Sequence, residues 1–319
     1  MPHLPAFHDY AHGITCIDTE LIRPGLAACY LIQHEGMAGF VDTGVNSSVP
    51  GLLQVLEHKR IPRENVAWVM PTHVHLDHAG GAGLLLQELP AARLLIHPRG
   101  ARHMIDPTQL SAGATAVYGK QAFQRMYGEL VPVAESRISI AEEGFVLDFN
   151  GRSLRFLDTP GHARHHYCIH DAMSAGLFTG DTFGASYPEL NTASQRFIFP
   201  PTTPIQFDPD AWAVSLQRLM GLQPERIYVT HYGKHENPAP LYQQLLDCLQ
   251  EYVALAAAHA ASSDRVAALQ AALLQSSINR ILATGSTLGS TLDSDTIGQV
   301  LDGDMRLNAQ GLDYWLNQA

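Results

Sequence analysis

The chain has 319 residues, 46% of them hydrophobic and 16% charged, and a formal net charge of −11. That composition suits a globular protein with a sizeable core, and the length sets a prior of about two domains at roughly 150 residues each. An acidic chain with no strongly basic run lacks the Lys/Arg patches that nucleic-acid backbones and anionic membranes require, so neither is expected as a partner.

Residues 14–43 read as three short strands, Ile14–Leu21, Leu26–Gln33 and Ala38–Asp42, separated by the turn signals Pro24-Gly25 and Glu35-Gly36. Ser47 or Ser48 with Pro50 opens a helix over Leu52–Lys59, whose Leu52, Leu53, Val55 and Leu56 form an apolar face. A strand over Val66–Met70, a helix over Gly83–Leu89 and a strand over Arg93–His97 follow. From Pro98 to about Val131 the chain is polar and Gly/Ala-rich with weak helical periodicity, the pattern of a helical insertion. Strands resume at Arg137–Ile140, Phe145–Asn150 and Ser153–Asp158, with Asn150-Gly151 as a hairpin signal, and continue at Tyr167–His170 and Gly176–Thr179. A Pro-rich loop over roughly Gly184–Pro209 is too long for a simple connector. A helix over Asp210–Leu219 and a last strand over Arg226–Thr230 lead to an Ala/Leu/Gln-rich tail. The tail reads as two long helices, Leu241–Ala261 and Asp264–Thr284, and two shorter ones near Asp295–Leu301 and Asn308–Asn317. The expected division is a catalytic domain over residues 1–237, with its insertion at about 98–131, and a helical region over 238–319 whose apolar stripes leave a homodimer open.

Cys16, Cys29, Cys168 and Cys248 are widely spread and form no C-x-x-C pair, so buried free thiols are expected rather than a disulfide framework. The first nine residues show neither the basic nor the apolar region of a signal peptide, and no apolar run approaches membrane-spanning length; a cytoplasmic location is expected.

The chemistry concentrates in Thr72-His73-Val74-His75-Leu76-Asp77-His78, which places four potential ligands for zinc, iron or manganese within six residues. The apolar run Val66–Met70 leads in and Ala79-Gly80-Gly81 leads out, which predicts a buried strand, a ligand-bearing loop and a helix start. In an extended segment His73, His75 and Asp77 would face one site while His78 points elsewhere, an arrangement that suits a second metal beside the first. Three further features stand at strand ends: Asp158-Thr159-Pro160-Gly161-His162, Phe178-Thr179-Gly180-Asp181-Thr182 and Val229-Thr230-His231-Tyr232-Gly233.

The order H-x-H-x-D-H, PGH, GD, TH resembles the metallo-β-lactamase superfamily over about residues 10–235. The resemblance implies an α/β fold, a four-layer αββα sandwich, with a dinuclear site at one edge of the two sheets. Matched by motif, His73, His75 and His162 would hold one divalent ion, Asp77, His78 and His231 a second, and Asp181 would bridge them. Val41-Asp42-Thr43-Gly44 resembles the family's strand-end motif, which would make Asp42 a group orienting a ligand histidine, and His166 is assigned a supporting or structural role. Two cations about 3.5–4 Å apart share a water and lower its pKa towards 7, so the implied mechanism is attack by a metal-bridging hydroxide, with Asp77 and Asp181 as catalytic ligands and Asp77 also able to receive a proton. Zinc is the expected metal, with iron and manganese as alternatives.

Secreted β-lactamases resemble the chain less, since they place a cysteine in the second site. Flavin-linked di-iron oxygen reductases have a glutamate where this chain has His75, and RNA-processing members carry basic surface or a nuclease domain. The extended motifs Thr159–His166, Thr179–Gly184 and Thr230–Gly233 look most like the glyoxalase-II-like group, although no basic glutathione-binding residues match in the tail. The expected function is hydrolysis of a small ester, lactone, thioester or phosphodiester. The alternatives are a mononuclear iron sulfur dioxygenase using His73, His162 and Asp181, and a regulatory or ligand-binding protein that keeps the site and works through partners. His103, Tyr118, Tyr187 and Lys234 are weaker candidates for substrate contact.

Overall fold

A computed structural model describes residues 3–191, 196–203, 205–285 and 292–318. The chain divides into two compact units, the first made of Met1–Asp158, His165–Gly180 and Pro224–Glu236, the second of Thr159–Arg164, Asp181–Gln223 and Asn237–Ala319.

The first unit holds both sheets. Sheet one has seven strands in sequence order: β1 (Phe7–Tyr10), β2 (Ile14–Asp18), β3 (Ala28–His34), β4 (Met37–Val41), β5 (Val66–Met70), β6 (Arg93–Ile96) and β7 (Ile138–Ile140). β1 to β4 pair antiparallel in sequence, whereas β4 to β7 run parallel. Parallel neighbours need crossovers. These are supplied by α1 (Val49–His58), by α2 (Leu76–Ala79) with α3 (Ala82–Glu88), and by α4 (Pro98–Ile105), α5 (Thr108–Tyr118) and α6 (Lys120–Met126). Sheet two has the order β13-β12-β11-β10-β9-β8, with β8 (Val146–Phe149), β9 (Arg152–Asp158), β10 (Tyr167–Asp171), β11 (Gly176–Gly180), β12 (Arg226–Val229) and β13 (Gly233–Glu236). Only β11 and β12 pair parallel within it.

Strand alternation explains how sheet one is buried on both faces. Along β3, Cys29 and Leu31 join Leu52, Val55 and Leu56 of α1 and Leu85 of α3 in one core. Ala28, Tyr30 and Ile32 point the other way and pack with Phe156, Tyr167, Phe178 and Tyr228 of sheet two. Each large apolar side chain so buried contributes about 1.5–3 kcal/mol. At the margin of this second core Arg152 donates through Nε to Asp171 Oδ1 at 2.9 Å and through Nη1 to the His12 carbonyl at 2.6 Å, and a second guanidinium nitrogen meets Asp171 Oδ2. Both side chains are fully buried, so loss of either leaves an uncompensated charge in the core.

The insertion is helical, as expected. Phe123 of α6 and Tyr127 pack with Leu21, Val45 and Leu76, while α5 buries none of its residues.

The second unit contains α7 (Pro209–Met220), α8 (Ala239–Ala258), α9 (Arg265–Gly285) and α10 (Ser294–Leu316). α9 and α10 form an antiparallel pair, tied by Gln270 Nε2 to Asp302 Oδ1 at 2.7 Å and by Arg265 to Asp313.

Several expectations change. β1 and β13 are additional strands, so Arg226–Thr230 is not the last. The two short terminal helices are one, α10. Leu301, Met305, Asn308 and Leu312 are all buried and lie at i, i+4, i+7 and i+11, so one face is sealed through Gly303 and Gly311. Parts of the expected Pro-rich loop, residues 192–195 and 204, lie outside the described residues. Among the described residues no helix is long and apolar enough to cross a membrane.

Candidate metal centre

In the first unit the site grows from strand ends. β4 stops at Val41, and Asp42 takes a left-handed backbone (φ +59°), a conformation aspartate tolerates better than most residues. Its carboxylate, fully buried, accepts from Thr72 N–H at 2.7 Å, Thr72 Oγ1 at 3.0 Å and Thr230 Oγ1 at 2.7 Å. Thr72 follows β5 and Thr230 follows β12, so Asp42 joins the ends of three strands from both sheets. Its Oδ2 also meets His78 Nδ1 at 2.9 Å.

The alternation expected through the ligand loop holds only to His75. His75 is the last extended residue (φ −61°, ψ 150°) and begins α2, so Asp77 and His78 lie on a helical turn. Asp77 therefore groups with His78 and not with His73 and His75. Ligand atoms of Asp77, His78 and His231 lie within 4.8 Å of one another. His73 and His75 form their own pair, with Nε2 and Nδ1 2.9 Å apart. The His166 ring stands 4.8 Å from that of His73 and is buried.

In the second unit, Asp181 directly follows β11 and His162 follows Gly161 in the turn beyond β9. Gly161 has φ +139°, and a Cβ there would lie 2.4 Å from Trp212 Cα; only glycine lets α7 close against the turn. α7 fixes the turn further through Ser215 Oγ donating to the Pro160 carbonyl at 2.7 Å and Trp212 Nε1 donating to the Thr182 carbonyl at 2.6 Å. His162 Nε2 then lies 3.3 Å from Asp181 Oδ2.

Three histidines share one design. A carbonyl oxygen only accepts, so the Nδ1 that meets it must carry a proton, and in the neutral ring Nε2 then keeps its lone pair. His231 donates through Nδ1 to the Leu26 carbonyl at 2.8 Å and turns Nε2 to Asp77 Oδ2 at 3.1 Å. His162 donates through Nδ1 to the Pro201 carbonyl at 2.8 Å and turns Nε2 to Asp181. His78 donates through Nδ1 to Asp42 and turns Nε2 to Asp77 Oδ2 at 3.5 Å. A lone pair facing a carboxylate oxygen is stable only with positive charge on or between them. A second proton on each ring or a shared cation meets that need, and the threefold repetition fits the cation. Imidazole nitrogen with carboxylate oxygen, and a hydrogen-bonded far nitrogen on each ring, is the donor chemistry of a divalent-metal site.

The weaker sequence candidates have structural partners. Tyr187 is buried and donates to Asp304 Oδ1 at 2.8 Å; Lys234 pairs with Glu236 at 2.6 Å and lies 5.0 Å over the Tyr10 ring. The Tyr118 ring lies tilted 5.7 Å from that of Tyr127, whose hydroxyl is pushed well up, first by burial, then by Tyr118 and the Asp77 carboxylate. His103, half-buried on α4, is held below the usual imidazole range by burial and by Arg102. Sequence reasoning gave no role to Thr72, Thr230, Leu26 and Pro201. The two threonines stand inside the quoted motifs, but the two carbonyls carry no side-chain signal.

The chain matches the family model described as the metallo-beta-lactamase superfamily over residues 22–231. It is 28% identical over 214 residues to a metallo-beta-lactamase fold-containing protein of Sulfurisphaera tokodaii, covering 66% of this chain and 74% of that one. It is 27% identical over 206 residues to an acyl-coenzyme A thioesterase of Homo sapiens, covering 56% of this chain and 68% of the relative. Among solved structures, an archaeal metallo-beta-lactamase superfamily protein from Sulfolobus tokodaii superposes with a TM-score of 0.65 at 21% identity, over 95% of this chain and 99% of that one. The two mixed sheets with flanking helices are thus the metallo-β-lactamase fold, the α/β sandwich expected from the sequence.

Proposed function

The chain belongs to the metallo-β-lactamase superfamily and is a hydrolase of that group, and from that premise we propose a dinuclear metal-dependent enzyme cleaving a small ester, lactone or thioester. His73, His75 and His162 serve one ion, Asp77, His78 and His231 the other, and Asp181 both. The observation that carries this is the set of histidines whose Nδ1 protons are tied to fixed acceptors while Nε2 faces Asp77 or Asp181. When bound, two divalent ions supply a Lewis acid for the carbonyl and a water of lowered pKa. Zinc is the metal we favour for this nitrogen-rich donor set.

The chain's own residues divide the remaining work. The Asp42 and Leu26 anchors hold His78 and His231 in one tautomer and orientation before any ligand arrives. Asp42 is fully buried, with its oxygens taken by Thr72, Thr230 and His78. The Asp77 side chain keeps 24% of its surface exposed, so it is the carboxylate placed to take a proton from the attacking water. Thioesters are the substrate class we put first, because the human relative is named for acyl-coenzyme A thioester hydrolysis. Buried free thiols at Cys16, Cys29, Cys168 and Cys248 suit work in a reducing cytoplasm.

The test is a panel of ester, lactone, thioester and phosphodiester substrates, run with protein reconstituted in zinc, manganese or iron. Thioester hydrolysis that a chelator abolishes and added metal restores is the expected result. Fully loaded protein that hydrolyses none of the four, while consuming oxygen with a glutathione persulfide, would overturn it.

A further inference from the structure

We infer that Asn308, in the middle of the C-terminal helix α10, is a positioning residue for His162, acting through a single peptide plane. The inference rests on His162 being a metal ligand, as proposed above. The carbonyl that accepts from His162 Nδ1 belongs to Pro201. The amide on the other side of that same planar unit is Thr202 N–H, and it donates to Asn308 Oδ1 at 2.7 Å. The chain of bonds therefore runs from His162 Nδ1–H to the Pro201 carbonyl, across the rigid plane, and from Thr202 N–H to Asn308.

The Asn308 amide has one possible orientation. A backbone N–H can only donate, so Oδ1 must face Thr202, and Nδ2 donates to the Pro200 carbonyl at 3.1 Å, which can only accept. Thr202 Oγ1 also donates to the Asn308 carbonyl at 3.2 Å. Asn308 thus grips the peptide units on both sides of Pro201, and with 1% of its surface exposed it has no competing water contact. Helix α10 is shaped for this approach: a Cβ at Gly311 would fall 1.6 Å from the Thr202 carbonyl oxygen, so the loop can lie against α10 only where position 311 has no side chain.

Two consequences follow. The Pro201 carbonyl cannot rotate away from His162 without breaking the Thr202–Asn308 bond, so ring orientation is preset by a residue 146 positions further along the chain. Hydrogen bonds in series also polarise one another, which strengthens the acceptor at Pro201 and raises the donor power of His162 Nε2 toward a cation. The C-terminal helices then contribute to the metal centre itself.

The test compares wild-type protein, Asn308→Ala and a control, Leu312→Ala, which removes a buried apolar side chain from the same helix but no hydrogen-bonding group. Zinc affinity is read by chelator competition, zinc stoichiometry by elemental analysis and folding by thermal melting. The expected result is that Asn308→Ala weakens one ion per chain by about 10–100-fold, while Leu312→Ala melts earlier and keeps wild-type zinc affinity. Equal affinity in Asn308→Ala and wild type, or the same loss in Leu312→Ala, overturns the inference. Where the alanine variant does not fold, Asn308→Leu carries the test, since it keeps the side-chain volume and removes the acceptor for Thr202 N–H. Its affinity falls as for alanine if the inference holds, and unchanged affinity contradicts it. Wild-type protein that binds no zinc at all refutes the underlying metal assignment instead, a result distinguishable from failure of the Asn308 link alone.

Discussion

His78 and His162 solve the same problem by different means. His78 is oriented by a carboxylate, Asp42, that stands at a strand end and ties together Thr72 and Thr230 from two other strand ends. His162 is oriented by a neutral carbonyl in an irregular loop, held in turn by a helix near the C-terminus. The first anchor is charged, built into the sheets and written in short motifs. The second is a relay of backbone groups whose far end has no motif. A ligand can therefore be obvious in sequence while the device that aims it is not.

The sharpest way to break that comparison is Asp42→Ala. It leaves Thr72 N–H, Thr230 Oγ1 and His78 Nδ1 without their buried acceptor, so a stability loss of roughly 3–5 kcal/mol is expected in urea unfolding, together with loss of one metal ion. Asn308→Ala, which removes a neutral link, should cost less stability than Asp42→Ala; the reverse order would mean that charge at the strand hub is not what distinguishes the two anchors.

Asp77→Asn separates anchoring from chemistry. Asp77 is partly exposed and its carboxylate meets His78 and His231, so unfolding free energy should move less than in Asp42→Ala, while hydrolysis falls about 10²–10⁴-fold. Full activity in this variant would remove Asp77 from the reaction.

The smallest effect is general to both units and sets a baseline. Burial pushes Cys16 of the first unit and Cys248 of the second each up to about 12, and Tyr30 and Tyr167 are raised well above the usual tyrosine range by the same cause. Folded-state values above unfolded ones give stability that is complete below the unfolded thiol value, about 8.5, and is lost as pH rises toward the folded values. Urea midpoints should be flat from pH 7 to 8 and decline from about pH 9 upward. A midpoint that rises over that range contradicts the burial assigned to these groups.

Most of the fold was legible because hydrophobic alternation and turn residues mark β3, β4, β5 and β9 directly. β1 escaped because its inner positions, His8 and Asp9, are polar and exposed, and β13 because Gly233 and Lys234 carry no strand signal. Gly303, between Asp302 and Asp304, interrupts the helical signal within α10, whereas packing of Leu301, Met305 and Leu312 carries the helix through. At the site, side chains that could bind metal stood out by type and spacing. The geometry of residues 73–78 did not, because a helical turn begins at Leu76 and overrides strand alternation. The Leu26 and Pro201 carbonyls were invisible for a simpler reason: every residue has one.

The central claim is that the two sets of donors serve two metal ions. Elemental analysis of metal-free protein reconstituted with zinc and then freed of loosely bound ion tests it most directly, alongside His231→Ala. Two ions per chain in the wild type and one in the variant is the predicted result. A wild type that retains a single ion, unchanged by His231→Ala, would contradict it.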